Sequence, residues 1–268
     1  MDTLVFLIKS YDRHLEWTKH LVESINKHNK DNIKVYLSIP KKDIELFKNS
    51  INTTNCEIIS DEDVVKNNIT QNWYTQQLVK MKFSEFEVCK NYFWIDADSY
   101  FIKDFYLSDF MYDEETPYTT IHENKDLFSW LAQTDIDKLN NILDGYQNDR
   151  QKVMDLFNRK GRYYDWTCPN LWSVKVFNHM KENYLKPNNL TFEIFSRTIE
   201  QQFNIQMREA ITYGEYLLNT QLFEVIPSGP LFKVYHWKEM VDFEQKTGLF
   251  NEEKLKESYL GIIYQSKI

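Results

Sequence analysis

Residues 92–101 read YFWIDADSYF and give the strongest indication of the fold. Its first part, residues 92–95, is apolar and aromatic, which is typical of a strand buried on both faces of a sheet. In an extended chain Asp96 and Asp98 point to the same side while Ala97 points away. Two carboxylates held this close are costly without a cation, and Mg²⁺ or Mn²⁺ prefers oxygen ligands that it shares with phosphate. The stretch therefore predicts a metal site for a diphosphate, with a structural turn as the alternative.

The chain before this strand alternates strand-like and helical patterns. Short apolar runs at residues 4–8, 34–39 and 57–59 predict three strands, and apolar residues recur at helical spacing after the first of them. Residues 73–88 predict a helix directly before the aspartate-bearing strand. This alternation is typical of a doubly wound α/β fold, in which a mostly parallel sheet carries helices on both faces and ligands bind beyond the carboxyl ends of the strands. The aspartates lie at such an end.

The pattern loosens after residue 105. The strands expected there are residues 118–121, 171–174 and 222–226, and the helices expected are residues 135–159, 176–184, 189–202 and 251–259. Because the sequence shows neither an internal repeat nor a low-complexity linker, we predict a single domain, residues 1–268, with a more irregular C-terminal half.

The composition is that of a folded, acidic protein. Of its 268 residues 42% are hydrophobic, which is ample material for a buried core. The formal net charge of -8 argues against nucleic-acid binding, because contact with the phosphate backbone needs a basic surface. No run approaches the roughly 18 to 20 apolar residues that span a bilayer, and residues 1–8 lack a basic lead and a cleavage site. We therefore expect a cytoplasmic protein without a transmembrane segment, and peripheral membrane contact stays open.

Several common chemical motifs are missing from the sequence. Cys56, Cys89 and Cys168 are an odd number at wide spacing, which favours reduced structural thiols over a disulfide framework or a zinc cluster. Without Gly-x-Gly-x-x-Gly or a Walker loop, neither a dinucleotide dehydrogenase nor a P-loop enzyme is supported. A nucleotidyltransferase is the nearest enzymatic rival, but residues 9–13 contain no glycine where such enzymes usually carry a glycine-rich, basic loop.

Four segments together resemble a known family. They are the N-terminal strand and helix through Ser24, residues 73–80 (WYTQQLVK), residues 93–98 (FWIDAD) and residues 212–216 (TYGEY). With them the chain resembles the GT-A-type, DxD-motif glycosyltransferases, and within these a little-characterised bacterial and large-DNA-virus group. The resemblance covers the N-terminal 110 residues fairly well and the rest at patches, and it implies a GT-A-like fold.

The resemblance implies a donor pocket around the aspartates. Asp96 would approach the ribose or a metal-bound water, with Ala97 beside it, and Asp98 would bind the metal that bridges the two phosphates. The other implied donor contacts are Tyr11, Asp12 and Arg13 after the first strand, Asp61 or Asp63 after the third, and Gln76, Gln77 and Lys80 on the following helix. Among these, Tyr11 would stack on the base and Lys80 would neutralise phosphate.

Residues 230–238 (PLFKVYHWK) add a histidine and a lysine late in the chain. Many GT-A enzymes supply a late histidine as a further metal ligand and a nearby lysine to the diphosphate, which implies those roles for His236 and Lys238. The alternative is an ordinary amphipathic strand with a satisfied histidine.

Glu209 is the first candidate for the acid/base group. It lies just before residues 212–214 (TYG), where the glycine allows a close backbone approach, and a preceding helix would place it beside the second substrate. Asp165 is the second candidate, because it precedes Trp166 and an aromatic surface with a nearby carboxylate is a common way to hold a sugar ring. An exposed helix glutamate and a core tryptophan are the alternatives.

Together these features imply an enzyme, a metal-dependent glycosyltransferase that uses Mn²⁺ or Mg²⁺. It would move a hexose or deoxyhexose from a nucleoside diphosphate sugar, expected to be UDP-linked, to a hydroxyl of a glycan acceptor. Residues 1–110 would bind the nucleotide sugar and residues 111–268 the acceptor. A noncatalytic sugar- or nucleotide-sugar-binding module is the alternative of another class, and inverting and retaining reactions both stay open.

Overall fold

A computed structural model of the protein describes residues 1–65, 73–121, 125–162, 164–166, 169–203, 208–248 and 251–265. The strands are β1 (Asp2–Lys9), β2 (Lys34–Ile39), β3 (Cys56–Ser60), β4 (Cys89–Asp96), β5 (Ser99–Phe101), β6 (Thr119–Thr120), β7 (Asn170–Ser173), β8 (Pro227–Ser228), β9 (Phe232–Tyr235) and β10 (Gly261–Tyr264). The helices are α1 (Leu15–His28), α2 (Ile44–Ser50), α3 (Asp61–Val64), α4 (Trp73–Lys82), α5 (Lys125–Thr134), α6 (Ile136–Leu156), α7 (Val174–Met180), α8 (Phe192–Phe203), α9 (Glu209–Thr220), α10 (Lys238–Thr247) and α11 (Glu252–Ser258).

The central sheet has five strands in the order β3-β2-β1-β4-β7. The first four are parallel, and β7 runs antiparallel to β4 with Trp94 opposite Asn170. The predicted mixed α/β fold, with a mostly parallel sheet flanked by helices, is confirmed. The strands predicted at residues 4–8, 34–39 and 57–59 are β1, β2 and β3.

Strand alternation divides the core between the two faces of this sheet. On one face Leu7 and Trp94 pack in a buried cluster with residues of α4, α7 and α9. On the other face Phe6 and Phe93 pack in a second cluster with residues of α1 and α2. Because helices cover both faces, β1 and β4 each contain an unbroken apolar run, residues 4–8 and residues 92–95.

A three-stranded sheet, β5-β10-β9, lies beyond the end of β4. Strand β10 is antiparallel to β5 and parallel to β9. At the end of β10 the Tyr264 amide donates to the Asp98 carbonyl at 3.0 Å, and the Gln265 amide donates to the Tyr235 carbonyl at 3.0 Å. The chain segments that carry Asp98 and His236 therefore flank the same end of one strand.

Two predicted elements differ from the structure. Residues 222–226 were expected to be a strand, which is wrong, because they form a loop after the left-handed cap at Gln221 that ends α9. Leu222, Phe223 and Val225 pack against the core, and the Ile226 carbonyl accepts from the Thr119 amide at 2.8 Å just before β8 begins. The helix expected over residues 73–88 ends at Lys82, and a 3-10 turn follows, closed by Glu87 at a φ of 53°.

Cys56 and Cys89 are free thiols, as expected, whereas Cys168 lies outside the described residues. Burial raises the pKa of both described thiols to about 12, so they are inert structural side chains. None of the helices in the described part of the chain is long and apolar enough to cross a membrane.

Candidate functional site

Two adjoining cavities lie at the carboxyl end of the central sheet. The first has a volume of about 530 Å³, and among the residues that line it are the predicted donor contacts Tyr11, Asp12, Arg13, Asp61 and Gln76. The loop after β1 and the start of α3 bring these side chains together, because consecutive parallel strands end at the same edge of the sheet. Trp73 and Gln76 line both cavities.

An ion pair lies at the floor of the first cavity. Lys9 Nζ is 3.0 Å from Asp61 Oδ2, and Ser38 Oγ donates to Asp61 Oδ1 at 2.7 Å. Burial raises the pKa of Asp61, and Lys9 and the Ser38 hydrogen bond oppose that rise. Asp61 is therefore held by side chains at the ends of β1 and β2, which fixes the shape of the cavity floor.

Tyr11 and His14 line the first cavity on its α1 side, where they form an aromatic ladder with Trp17. The ring centroids of Tyr11 and His14 are 4.2 Å apart, and those of His14 and Trp17 are 4.8 Å apart. Burial lowers the pKa of His14, and the Asp96 carboxylate opposes the shift. His14 thus lies within electrostatic reach of both the loop after β1 and the aspartate at the end of β4.

The second cavity has a volume of about 270 Å³ and gathers most of the remaining candidates. Its lining includes Gln76, Gln77, Lys80, Asp96, Asp165, Glu209 and His236. These residues come from α4, the end of β4, the segment before β7, the first turn of α9 and the end of β9. Side chains widely separated in sequence therefore converge on one space.

Lys80 is the centre of the second cavity. Its side chain is 3% exposed, and its Nζ lies 3.0 Å from Asp96 Oδ1 and 3.6 Å from Glu209 Oε1. The same ammonium lies 3.7 Å from the ring centroid of Trp94, which is a cation–π contact. One buried cation thus links two carboxylates and an indole.

Glu209 is buried in the first turn of α9, so the exposed-glutamate alternative is wrong. Burial raises the pKa of Glu209, and Lys80 opposes that rise. With the Gln77 amide oriented to satisfy its neighbours, its nitrogen donates to both Glu209 carboxylate oxygens and its oxygen accepts from Trp73 Nε1 at 3.1 Å. Glu209 is therefore oriented on one side by an amide and on the other by an ammonium.

Asp165 is held by different partners. Arg150 Nη2 lies 2.8 Å from Asp165 Oδ1, which also accepts from the Trp166 amide at 2.9 Å. Trp166 is buried in the core, as the alternative for it has it, and it also lines the second cavity. Its indole packs so closely on Gly214 of α9 that a Cβ there would overlap the ring. The close approach predicted for this glycine is thus made by a tryptophan.

The predicted metal ligands are divided between the cavity and its border. Asp96 and His236 line the second cavity, but Asp98, Ala97 and Lys238 are not among the described residues that line either cavity. Ala97 is buried in the turn after β4, and Lys238 is exposed in the first turn of α10. Within the described ranges, no group of three or more His, Cys, Asp and Glu side chains is arranged to hold a metal ion.

The sequence reasoning missed several lining residues. The position of Trp94 in the cavity wall was predictable, because Trp94 lies two positions before Asp96 and strand alternation puts both side chains on one face of the sheet. Trp73 lies in residues 73–80, one of the segments that carry the family resemblance, but no role was predicted for it. Asp149 and Arg208, which line the second cavity with Arg208 Nη2 3.5 Å from Asp149 Oδ2, gave no local signal, because helix α6 and the start of α9 are distant in sequence.

The fold is similar to that of two solved structures. One is the galactosyltransferase LgtC in complex with donor and acceptor sugar analogs, at 11% sequence identity and a TM-score of 0.53, with 99% of this chain and 87% of that chain covered. The other is an active-site mutant of LgtC, at 11% identity and a TM-score of 0.52, with 99% and 88% covered. The likeness shows that this chain has a GT-A-like fold.

The comparison with curated proteins gives no match. A family model described as "Family of unknown function (DUF6492)" matches residues 5–257. The chain belongs to this family.

Proposed function

We propose that this member of the DUF6492 family is a metal-dependent glycosyltransferase that moves a hexose or deoxyhexose from a UDP-linked donor to a hydroxyl of a glycan. The observation that carries the proposal is the meeting of two cavities at Trp73 and Gln76, beside the carboxyl end of β4. One cavity has an aromatic wall and the other contains a buried carboxylate. A reaction that joins two substrates needs two adjoining spaces of this kind. The fold shared with a galactosyltransferase supports the same reaction class.

The donor nucleotide would occupy the first cavity. Tyr11 would stack on the base at the end of the aromatic ladder, and Asp12 and Arg13 would contact the nucleotide from the loop after β1. Asp96 would accept a hydrogen bond from the ribose, since its side chain is partly exposed while Lys80 fixes its position. Lys80 would then reduce the repulsion between Asp96 and the donor phosphates.

A divalent metal would be held by Asp98 and His236, with Asp96 nearby. The strand register supports this, because the segments bearing both ligands flank the end of β10. A carboxylate and an imidazole completed by phosphate oxygens suit Mn²⁺ or Mg²⁺, which commonly bind few protein ligands when a substrate phosphate is present. Such a metal stabilises negative charge on a leaving diphosphate.

Glu209 would act as the general base toward the acceptor hydroxyl. The Lys80 ammonium favours its ionised form, and Gln77 fixes the direction of its carboxylate. A base with this environment suits an inverting reaction, in which a carboxylate removes the acceptor proton as the new bond forms. Asp165 is the weaker candidate, because Arg150 and the Trp166 amide already hold its Oδ1.

Calorimetric titration of UDP, GDP, CMP and dTDP compounds, with Mn²⁺ and then with EDTA, tests the donor site. We expect tight binding of the uridine nucleotide that disappears with EDTA, together with slow hydrolysis of the matching UDP-sugar. If none of the nucleotides binds, the transferase proposal fails. Nucleotide-sugar binding without hydrolysis or transfer would instead support the noncatalytic module.

A further inference from the structure

Charged side chains of both signs line the second cavity, with three from lysine and arginine and four carboxylates. The cationic side chains of Lys80, Arg150 and Arg208 each lie within ion-pair distance of a carboxylate: Lys80 near Asp96 and Glu209, Arg150 near Asp165, and Arg208 near Asp149. Neither sign dominates the wall. A strongly charged ligand would have to disrupt one of these pairs, at a cost in desolvation and lost Coulomb attraction.

Indole surface supplies the apolar part of the same wall. Trp94 and Trp166 are buried and stiffen it, while Trp73 is partly exposed at the start of α4. The Arg208 guanidinium carbon lies 5.8 Å from the Trp73 ring centroid, over one face of the indole, and it places a fan of hydrogen-bond donors beside this ring. A ring with an apolar C–H face and polar substituents at its edge matches such a surface.

The polar rim is the pair formed by Asp149 and Arg208. Arg208 Nη2 lies 3.5 Å from Asp149 Oδ2, and their side chains are 42% and 20% exposed. A carboxylate accepts and a guanidinium donates, so together they can take both roles that neighbouring hydroxyls require. Because the two charged atoms are 3.5 Å apart, both side chains can bind hydroxyls while they stay within ion-pair distance of each other.

The cavity is small. At about 270 Å³ it has about half the volume of the first cavity, which is about 530 Å³. That is room for one monosaccharide ring with its hydroxyls.

We infer that the second cavity binds a single neutral monosaccharide unit, with Trp73 stacked on its apolar face and the Asp149–Arg208 pair binding its hydroxyls. The identification of this monosaccharide as the terminal sugar of the acceptor rests on the proposed function. Sugar binding at this place does not depend on transfer.

Saturation-transfer NMR on the full chain tests the inference without any nucleotide. The probes are the methyl glycosides of glucose, galactose and mannose, each compared with its uronic acid and its 2-amino counterpart. We expect at least one neutral glycoside to bind more tightly than both of its charged counterparts. Trp73→Ala should abolish that binding, whereas Trp17→Ala, an exposed indole that does not line the second cavity, should leave it unchanged.

Opposite charge variants make the test specific. Asp149→Asn leaves Arg208 without its carboxylate and should shift preference toward the uronic acid by up to about fivefold, the size expected for one partly exposed ion pair. Arg208→Gln should shift preference by a similar factor toward the amino sugar. If no neutral glycoside binds, or if the two variants do not move the preference in opposite directions, the inference is wrong.

The outcomes also separate this inference from the proposed function. Metal-dependent nucleotide binding and UDP-sugar hydrolysis with no neutral-glycoside binding would leave the transferase intact and refute the sugar assignment. Neutral-glycoside binding with no nucleotide binding would keep the sugar site and refute the transferase.

Discussion

Lys80 Nζ lies 3.6 Å from Glu209 Oε1, and both side chains are buried. A buried carboxylate is disfavoured as an anion, and a neighbouring ammonium restores part of that loss. The pKa of Glu209 is accordingly raised by burial and lowered by Lys80. Glu209 is thus a buried carboxylate whose counter-ion, Lys80, is shared with Asp96, and a carboxyl group with a raised pKa in a cavity is a candidate acid/base group.

Glu209→Gln should slow glycosyl transfer by about 10²- to 10⁴-fold, the usual contribution of a general base, while nucleotide affinity stays unchanged. The amide keeps the size of the side chain but cannot accept the acceptor proton. Steady-state kinetics and nucleotide titration measure the two effects separately.

The matched control is Glu239→Gln. Glu239 also lies in the first turn of a helix, α10, but is exposed, so full activity is expected. Weakened nucleotide binding with unchanged turnover in Glu209→Gln would place that side chain in the donor pocket instead.

Lys80→Met should raise the pKa of Glu209 further, because burial then acts without the opposing ammonium. The base must be ionised, so activity is lost as pH falls through its folded pKa, and the acidic limb of the rate profile should move to higher pH. The pH dependence of stability has the opposite sign. Because the folded pKa of Glu209 in the variant lies above the ordinary 4.5, the variant's free energy of unfolding should fall as pH rises through that folded pKa.

Lys82→Met is the control for this prediction. Lys82 lies on the same helix, paired with Glu193, and does not line either cavity among the described residues. An acidic limb that stays in place in Lys80→Met, or moves equally in Lys82→Met, would contradict the role of Lys80.

Asp98→Ala should abolish metal-dependent turnover and the thermal stabilisation that Mn²⁺ gives in the presence of UDP, because it removes the carboxylate proposed to hold the ion. The melting temperature without metal should change little, since Asp98 is only partly buried, in a turn. Thermal shift with and without Mn²⁺, followed by an activity assay, measures both. Turnover near the level of the unaltered protein would refute the metal assignment.

Local patterns predicted the central sheet, because β1 to β4 each contain an apolar run and segments with helical periodicity lie between them. The same strand ending placed Asp96 at the edge of the sheet where it lines the second cavity, and the family resemblance implied that Gln76, Gln77 and Lys80 lie near it. The burial of Glu209 was not predictable, because it depends on α9 packing beside α4, which is far away in sequence. Helix α9 itself was missed, since residues 212–214 contain threonine, tyrosine and glycine, which are weak helix formers.

Gly214→Ala tests how α9 holds the wall of the second cavity. A Cβ at this position would overlap the indole of Trp166, so the ring or the helix must shift, and overpacking of this kind typically costs about 1–3 kcal/mol. The intrinsic helix preference of alanine offsets at most about 1 kcal/mol of that cost. Gly145→Ala in α6 is the matched control, because a Cβ there has open space, and it should raise the free energy of unfolding by about 0.5–1 kcal/mol. Denaturant unfolding measures both variants.

Since Trp166 lines the second cavity, Gly214→Ala should also weaken neutral-glycoside binding while nucleotide affinity is kept. If Gly214→Ala is as stabilising as Gly145→Ala, the close packing of Trp166 on α9 is refuted.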